Sequence, residues 1–365
     1  MTSDPDTRFM ALALTLGRRG LGNTWPNPAV GAVVVKDGVV VGRGWTQPGG
    51  RPHAEVEALR RAGAAARGAT LYATLEPCSH HGKTPPCVDA IVAAGIARVV
   101  SALEDPNPEI AGQGHARLTS QGIAVTTGVC PEEARRAHAG HIRRVRDGRP
   151  HVTLKLAVSA DGKAGLAGRK PAAITGELAR ERVQLMRATN DAMVTGIGTV
   201  LADDPQLTCR LPGMEQRSPV RVILDSALRM PVQSRLAASA TRTLDWVFVD
   251  ETAKPEHEAA LTAAGVEVLR VRGAKGQLDL AAVLRGLAGR GVTRVMVEAG
   301  PILSAAFLEA DLVDEAALFC SPNPLADGID ALEGLPLTAL TQSPKLRLVS
   351  SEQVGADRLD VFERR

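Results

Sequence analysis

Aromatic side chains are scarce: nine among 365 residues, five Phe, three Trp and one Tyr. Nucleic-acid surfaces commonly stack bases on such rings, so no nucleic-acid partner is expected. Charge of one sign is lacking as well. The formal net charge is +3, and the nearest approach to a basic run is His141-Ile-Arg-Arg-Val-Arg146, readable as a solvated helix face or as a contact for an anion. No uninterrupted apolar stretch reaches the ~18–20 residues needed to cross a bilayer. The opening Met-Thr-Ser-Asp-Pro-Asp is acidic and has no signal-type apolar core. The five cysteines, Cys78, Cys87, Cys130, Cys209 and Cys320, are too few for a disulfide framework and suit a reducing compartment. A soluble, cytoplasmic protein with no membrane partner is therefore expected. Apolar residues make up 44% of the chain and charged residues 23%, an ordinary globular composition. Its length exceeds that of one usual domain, so two are expected.

Periodicity predicts a helix over 7–20, with Phe9, Leu12, Ala13 and Leu16 on one face. Two β-rich runs follow, 29–35 and 39–41, with Lys36-Asp-Gly38 between them as a hairpin signal. Helices are predicted over 53–66, 85–94 and 112–121, and strands over 70–75, 98–103 and 123–129. This alternation argues for an α/β sandwich with a largely parallel sheet. The Arg- and Ala-rich stretch 131–150 reads as a helix and a linker, which sets the expected domains at 1–145 and 151–365. In the second, strands are expected at 151–158 and near 191–195, 220–224, 245–249, 266–271, 293–297 and 315–320, with a helix at 176–189.

The chemistry is concentrated in Pro52-His-Ala-Glu-Val-Glu57 and Leu75-Glu-Pro-Cys-Ser-His-His-Gly-Lys-Thr-Pro-Pro-Cys87. Hydrolytic deamination needs a zinc ion with three protein ligands and an open position for water. It also needs a carboxylate, not itself a ligand, to carry protons. His53 and Glu55 at a helix start, with Cys78 and Cys87 bracketing a loop, supply both. A thiolate at a helix N-terminus is stabilised by the helix dipole, and two thiolates with one imidazole suit zinc. His-x-Glu followed by Pro-Cys-x-x-Cys is the signature of zinc nucleobase deaminases; here the cysteines stand nine apart. The alternative is an ordinary core histidine with buried thiols. His80 and His81 read as loop residues nearer the substrate, because a fourth ligand would block the water.

The C-terminal half has no Gly-x-Gly-x-x-Gly after a strand. Gly196-Ile-Gly198-Thr-Val-Leu201 stops two glycines in, so a Rossmann dinucleotide site is not supported. Glu298-Ala-Gly-Pro301, between a strand and a helix, is either an anion-binding turn or a plain connection.

These features, together with Pro26-Asn27-Pro28, Val30-Gly31, the loop Ser79–Pro86 and Asp105-Pro-Asn-Pro108, resemble the bifunctional deaminase–reductase of bacterial riboflavin biosynthesis. So do Lys155–Ala157, Ser159-Ala-Asp-Gly162, Ile174-Thr-Gly176, Thr199-Val-Leu-Ala-Asp-Asp-Pro205 and Leu207-Thr-Cys-Arg210. The resemblance covers about residues 7–320 and implies an α/β protein. Its N-terminal part is a cytidine-deaminase-like α/β/α sandwich and its C-terminal part a dihydrofolate-reductase-like α/β domain. The implied activity is zinc-assisted deamination of a diamino-pyrimidinone ribosylamine 5′-phosphate, then NADPH-dependent reduction of its ribosyl group to ribityl. By the same resemblance Asn27, His80 and Lys83 hold the substrate in the first domain. Arg187, Leu207, Arg210 and Glu298 contact it in the second, with Arg187 or Arg210 matching the phosphate. Ala157, Thr199, Asp203, Ser226, Gly300, Pro301, Ile302, Leu303, Ser304, Ala305 and Ala306 line the NADPH site. Homo-oligomerisation is a family expectation. Departures from the pattern are Ala299 before Gly300 where Gly-Gly is usual, Ala173 in place of Trp, Thr46 in place of His, and His138-Ala-Gly-His141 in place of Asn-x-x-Phe.

Two other readings compete: a tRNA or nucleoside zinc deaminase with an accessory α/β domain, and a zinc module in which the metal only staples the fold. Closed structural sites carry four ligands, so the three-ligand count opposes the last.

Overall fold

Asp4 opens the first helix, α1 (Pro5–Gly17), with a proline at its first position. The computed structural model describes residues 4–166, 172–274 and 276–365; the first three residues of the acidic N-terminal segment lie outside them. On α1 the predicted face is buried at Phe9, Ala13 and Leu16, and half-buried at Leu12. The Asp-Gly hairpin forms between β1 (Gly31–Lys36) and β2 (Val39–Trp45), pairing Lys36 with Val39. Asp37 and Gly38 both take positive φ, 50° and 77°, as a two-residue hairpin turn requires. Then come α2 (Ala54–Ala62), β3 (Thr70–Ala73), α3 (Cys87–Ala93), β4 (Arg98–Ser101), α4 (Gln113–Ser120) and β5 (Ala124–Thr127). The helix predicted to 66 ends at Ala62, because Gly63 adopts φ 54° and ψ −134°.

The strand order is β2-β1-β3-β4-β5. The expected largely parallel sheet is corrected: β3, β4 and β5 run parallel, but β1 is antiparallel to both neighbours. The hairpin reverses the chain before α2, so β3 enters in the direction of β2. Side chains alternate across the sheet and feed two layers. Ala32 and Val34 join Ala58, Leu59, Val88, Ile91 and Leu118. Val33 and Val35 join Phe9, Met10, Ala13 and Leu14 on the other face.

The stretch read as one helix and a linker is two helices, α5 (Pro131–Ala137) and α6 (Ala139–Asp147). His138 between them points its Nε2 at the Thr74 hydroxyl, 3.0 Å away, and that hydroxyl accepts the Gly31 amide at 3.1 Å. His141 on α6 has both ring nitrogens shielded from solvent with no hydrogen-bond partner. Burial, with the charge of Arg144, pushes its pKa down from 6.5 to about 4. The unfolded chain therefore binds a proton between those values that the folded chain refuses. Stability at this residue is present above pH 6.5 and is lost as pH falls towards 4. His141→Phe is expected to flatten the acid side of a urea-midpoint profile; parallel profiles for the two proteins would contradict this.

By its internal contacts the chain divides into Met1–Gly148 and Arg149–Arg365. The second unit runs β6 (His151–Val158), β7 (Lys163–Leu166), α7 (Glu177–Ala188), β8 (Ala192–Gly196), α8 (Ile197–Asp203), β9 (Val220–Leu224) and β10 (Asp245–Asp250). It continues with α9 (Glu258–Ala263), β11 (Glu267–Val271), β12 (Gly273–Ala274), β13 (Gln277–Leu278), α10 (Leu280–Gly289), β14 (Arg294–Val297), α11 (Pro301–Glu309) and β15 (Glu315–Cys320). Last are β16 (Gly328–Asp330), α12 (Thr338–Thr341), β17 (Leu346–Val354) and β18 (Asp357–Arg364). Nine strands form one sheet, ordered β11-β10-β9-β8-β14-β6-β15-β18-β17. It is parallel from β11 through β15, and β18 and β17 add an antiparallel edge. Three features have no counterpart in the sequence expectations: this C-terminal edge, the short β12–β13 pair, and the small antiparallel pairing of β7 with β16.

Candidate functional site

In the first unit two loops and two helix starts converge. His53 is the residue before α2, in extended conformation, and Cys87 is the first residue of α3. Cys78 lies on the strand-to-helix loop after β3. The His53 Nδ1 stands 3.3 Å from the Cys87 sulfur and 3.6 Å from that of Cys78. Among the described residues, these three donors form the group able to hold a metal, all within 4.8 Å of one another. Two soft sulfurs and a borderline nitrogen are the donor set zinc takes. The site thus fits the ion on chemistry as well as on spacing. The Cys78 thiol is lowered to about 4 by contacts with the Cys87 thiol, the His53 ring and the Cys87 backbone amide, which donates to its sulfur at 3.3 Å. A sulfur held as thiolate is ready to ligate.

Glu55, in the first turn of α2, is 3% exposed. Burial raises its pKa, and the neighbouring His53 opposes that rise. Its carboxyl also meets the Cys87 thiol, so it lies beside the metal-binding atoms without belonging to their group.

The other predicted residues of this unit surround the loop. Asn27 donates from its side-chain amide to the Gly50 carbonyl at 2.8 Å, tying it to the segment that leads into His53. His80, His81 and Lys83 are exposed on the Cys78–Cys87 loop. That loop is held by Arg51, which contacts the Thr84 hydroxyl, and by Arg117, which donates to the Ser79 carbonyl at 3.0 Å. Thr46 is buried, and its hydroxyl accepts the Val30 amide at 3.0 Å. It thus anchors the backbone where a histidine is usual.

In the second unit a cleft of about 960 Å³ opens at the ends of β8, β9 and β14, the strand ends at which α/β sheets bind ligands. Of the residues expected at the cofactor, Thr199, Asp203, Ser226, Gly300, Pro301, Ile302, Leu303 and Ala306 line it. Three do not. Ser304 and Ala305 sit on the buried face of α11, the Ser304 hydroxyl donating to the Ala299 carbonyl at 3.3 Å. Ala157 packs against the core.

The cleft fits an extended nucleotide. Gly198 and Gly300 leave room for close approach, since an added Cβ meets nothing within 4 Å at the first and only the Thr199 hydroxyl, at 4.0 Å, at the second. The N-terminus of α11 also lies on the cleft wall, offering uncapped amides to a phosphate. Ser226, Arg229 and Gly276 are shared with a neighbouring cavity that holds Lys254 and His257.

Glu298, directly after β14, is held by Arg187 on α7 through hydrogen bonds of 3.0, 3.1 and 3.2 Å. A further Arg187 N–H donates to the Thr208 carbonyl at 3.1 Å, so this guanidinium is engaged within the protein. The ammonium of Lys155, on β6, lies 3.5 Å from Glu298. Burial would raise the Glu298 pKa, but Lys155 and Arg187 together lower it. Arg210 is exposed, and its guanidinium pKa is lowered by burial and by the charges of Arg187 and Arg235. Leu207 is 3% exposed at φ 52°, a conformation that costs a branched side chain on the order of 1–3 kcal/mol.

Lys155, Arg229 and Arg235 were not singled out in the sequence. Lys155 carried a signal, as the one charged residue between the apolar Leu154 and Leu156 of its strand and within a quoted motif. Arg229 and Arg235 lie in irregular turns and carried none.

Similarity to known proteins decides the family. A profile described as the RibD C-terminal domain matches residues 150–359, and one described as the cytidine and deoxycytidylate deaminase zinc-binding region matches residues 3–103. The riboflavin biosynthesis protein RibD of Escherichia coli K12 is 42% identical over 364 residues, spanning 96% of this chain and 97% of its own length. The chain belongs to the RibD family.

Its fold is the RibD fold throughout. The RibD structure from Acinetobacter baumannii superimposes with a TM-score of 0.87 at 38% identity, covering 99% of both chains. A Thermotoga maritima protein described as a diaminohydroxyphosphoribosylaminopyrimidine deaminase and 5-amino-6-(5-phosphoribosylamino)uracil reductase gives 0.84 at 36% identity, again over 99% of both. RibD of Aquifex aeolicus is 38% identical over the full length of both chains. The expected pairing of a cytidine-deaminase-like sandwich with a reductase domain is the RibD arrangement. Such full-length agreement disfavours the tRNA-deaminase reading.

Proposed function

We infer that this chain performs two consecutive steps of riboflavin biosynthesis. The first is hydrolytic deamination of 2,5-diamino-6-ribosylamino-4(3H)-pyrimidinone 5′-phosphate, and the second is NADPH-dependent reduction of the ribosyl group to ribityl. One observation carries this reading: a zinc-type trio with a buried carboxylate beside it, and an acid–base cluster in the unit that carries the nucleotide-sized cleft, on one RibD-family chain.

In the first unit His53, Cys78 and Cys87 would hold zinc. When bound, zinc makes water a competent nucleophile at neutral pH. Glu55 takes one proton from the attacking water and gives it to the ring nitrogen, then takes the second from the newly added hydroxyl and gives it to the departing amino group. Water thus adds at the carbon bearing the 2-amino group, the carbon–nitrogen bond breaks, and ammonia leaves. Asn27, His80 and Lys83 would orient the pyrimidine and its phosphoribosyl arm, Lys83 as a flexible point charge.

In the second unit NADPH supplies the hydride that ends on the first sugar carbon. Glu298 and Lys155, 3.5 Å apart, hold and move the proton that opening of the sugar requires. Arg187 fixes Glu298, and Leu207 backs the same pocket. Arg210 is the better phosphate ligand of the two arginines considered, because Arg187 is occupied by Glu298 and Thr208. Arg210, Arg187 and Arg235 concentrate positive charge there. Thr199, Asp203, Ser226 and the α11 N-terminus at Gly300–Leu303, with Ala306, line the path of the cofactor.

Arg229 beside Ser226 adds a cation at the junction of the two cavities and suits the phosphate that distinguishes NADPH from NADH. Arg229→Ala is expected to lower the preference for NADPH over NADH by about 10- to 100-fold, the worth of one charge-assisted hydrogen bond. Steady-state kinetics with both cofactors measure it, and an unchanged ratio would remove Arg229 from the cofactor site.

The same reading makes the ligand a phosphoribosylated pyrimidine and expects no nucleic-acid or membrane partner. Among the described residues no helix is long and apolar enough to cross a membrane. A cytoplasmic homo-oligomer is the arrangement this account expects. The order of steps tests the function. With the diamino substrate and no cofactor the protein should release ammonia and accumulate the deaminated ribosyl compound. Cofactor oxidation that needs no prior ammonia release would reverse the order.

A further inference from the structure

Glu76 stands two residues before Cys78 and is 7% exposed. Its carboxylate accepts four backbone amides. Asp105 and Gly112 donate to Oε2 at 3.0 and 2.9 Å, and Gly114 and His115 donate to Oε1 at 2.7 and 3.3 Å. A carboxylate has about four lone-pair directions, and these donors use them. They come from both ends of the segment 105–112 and from the first turn of α4, where a negative charge is also favoured by the helix dipole.

Two further observations tie this clamp to the site. Gly114 is packed so closely that an added Cβ would lie 2.2 Å from the Pro77 carbonyl and 3.0 Å from Oε1 of Glu76. Asp105, whose side chain accepts the Asn107 amide at 2.8 Å, lies close enough to Cys78 and His80 for their charges to act on it. The clamped segment therefore borders the loop that carries the metal-binding sulfur.

We propose that Glu76 is a positioning residue of the deaminase: its carboxylate holds residues 105–112 as a fixed wall of the pyrimidine pocket, beside the Cys78 loop. The proposal rests on the deaminase reading of the first unit.

Glu76→Gln keeps the volume and turns one acceptor oxygen into a donor, which cannot serve two of the four amides. Gly114→Ala disturbs the same clamp from the opposite side and leaves Glu76 in place. In both, KM for the diamino substrate should rise roughly tenfold, the scale of one charge-assisted hydrogen bond, while kcat changes less than about threefold. Zinc content and reduction of the deaminated intermediate should match the unaltered protein. A purely structural role would lower the active fraction, so kcat per chain would fall at constant KM; that result in the variants would overturn the proposal. Should Glu76→Gln fail to fold, Gly114→Ala decides on the same criterion. If the unaltered protein released no ammonia, the deaminase reading itself would fail, and the proposal with it.

Discussion

Replacing Glu55 with glutamine should stop ammonia release and leave NADPH-dependent reduction of the deaminated intermediate at its normal rate. The expectation comes from where the carboxyl sits. Glu55 is in the first turn of α2, two residues from His53, and almost without solvent contact. Burial raises its pKa while the imidazole opposes the rise, which makes the carboxyl a better proton acceptor than an exposed glutamate. General acid–base catalysis contributes about 10²–10⁴-fold. Here one residue serves the attack and the departure, so the loss should lie at the top of that range. Glutamine is nearly isosteric, and the metal-binding trio does not include Glu55, so zinc should be retained. Loss of both activities in a folded variant would contradict independent sites, and full retention of deamination would remove Glu55 from the mechanism.

The converse variant is Arg187→Ala. Arg187 and Glu298 side chains are 9% and 22% exposed and joined through the Nε and Nη2 groups of the guanidinium. Removing one partner of a buried pair costs about 3–5 kcal/mol, because the other charge is left uncompensated. Lys155 stays 3.5 Å from Glu298 and some water reaches the carboxylate, so the lower end of that range is expected. The chemical consequence should be larger than the thermal one. With Arg187 gone, Glu298 is no longer held in place, and reduction should fall by at least about 100-fold, the penalty for misplacing a reacting group by ~1 Å. Ammonia release should be unaffected. Adding Glu298→Gln should recover part of the stability and none of the reduction. Urea titration and NADPH oxidation, measured on the same preparations, separate the two effects. Recovery of reduction in the double variant would show that the pair supports the fold alone.

The sequence was most informative where chemistry demands a rare combination. His53, Glu55, Cys78 and Cys87 could be picked out because a histidine and a carboxylate two apart, before two spaced cysteines, have few structural uses. The hairpin at Asp37-Gly38 was equally legible, since its backbone conformation restricts the residues allowed. Other features depend on contacts between distant residues and leave no local trace. Glu76 looks like one more acid in a loop until four amides from 29 to 39 residues away are found on it. The pairing of Arg187 with Glu298 spans 111 residues. Ser304 and Ala305 were assigned to the cofactor because they fall within a contiguous run, but helical periodicity turns them into the core. The edge strand β17 escaped notice for a different reason. Of its nine residues from Leu346 to Val354 only Leu346 is buried and six are exposed, so no alternating apolar pattern marks it. The antiparallel placement of β1 follows from the order in which hairpin and crossover occur, which strand periodicity alone does not encode.

The most direct test of the two-step account is a single assay. The zinc-replete protein is given the phosphorylated diamino-pyrimidinone substrate and NADPH, and ammonia and NADPH are followed together. Both signals should appear, ammonia leading, and their final amounts should be equal. Ammonia without NADPH oxidation would leave the first unit as described and contradict the reductase half, with Ala173 and Ala299 as the first residues to restore to tryptophan and glycine. NADPH oxidation without ammonia, or neither signal, would contradict the account at its centre.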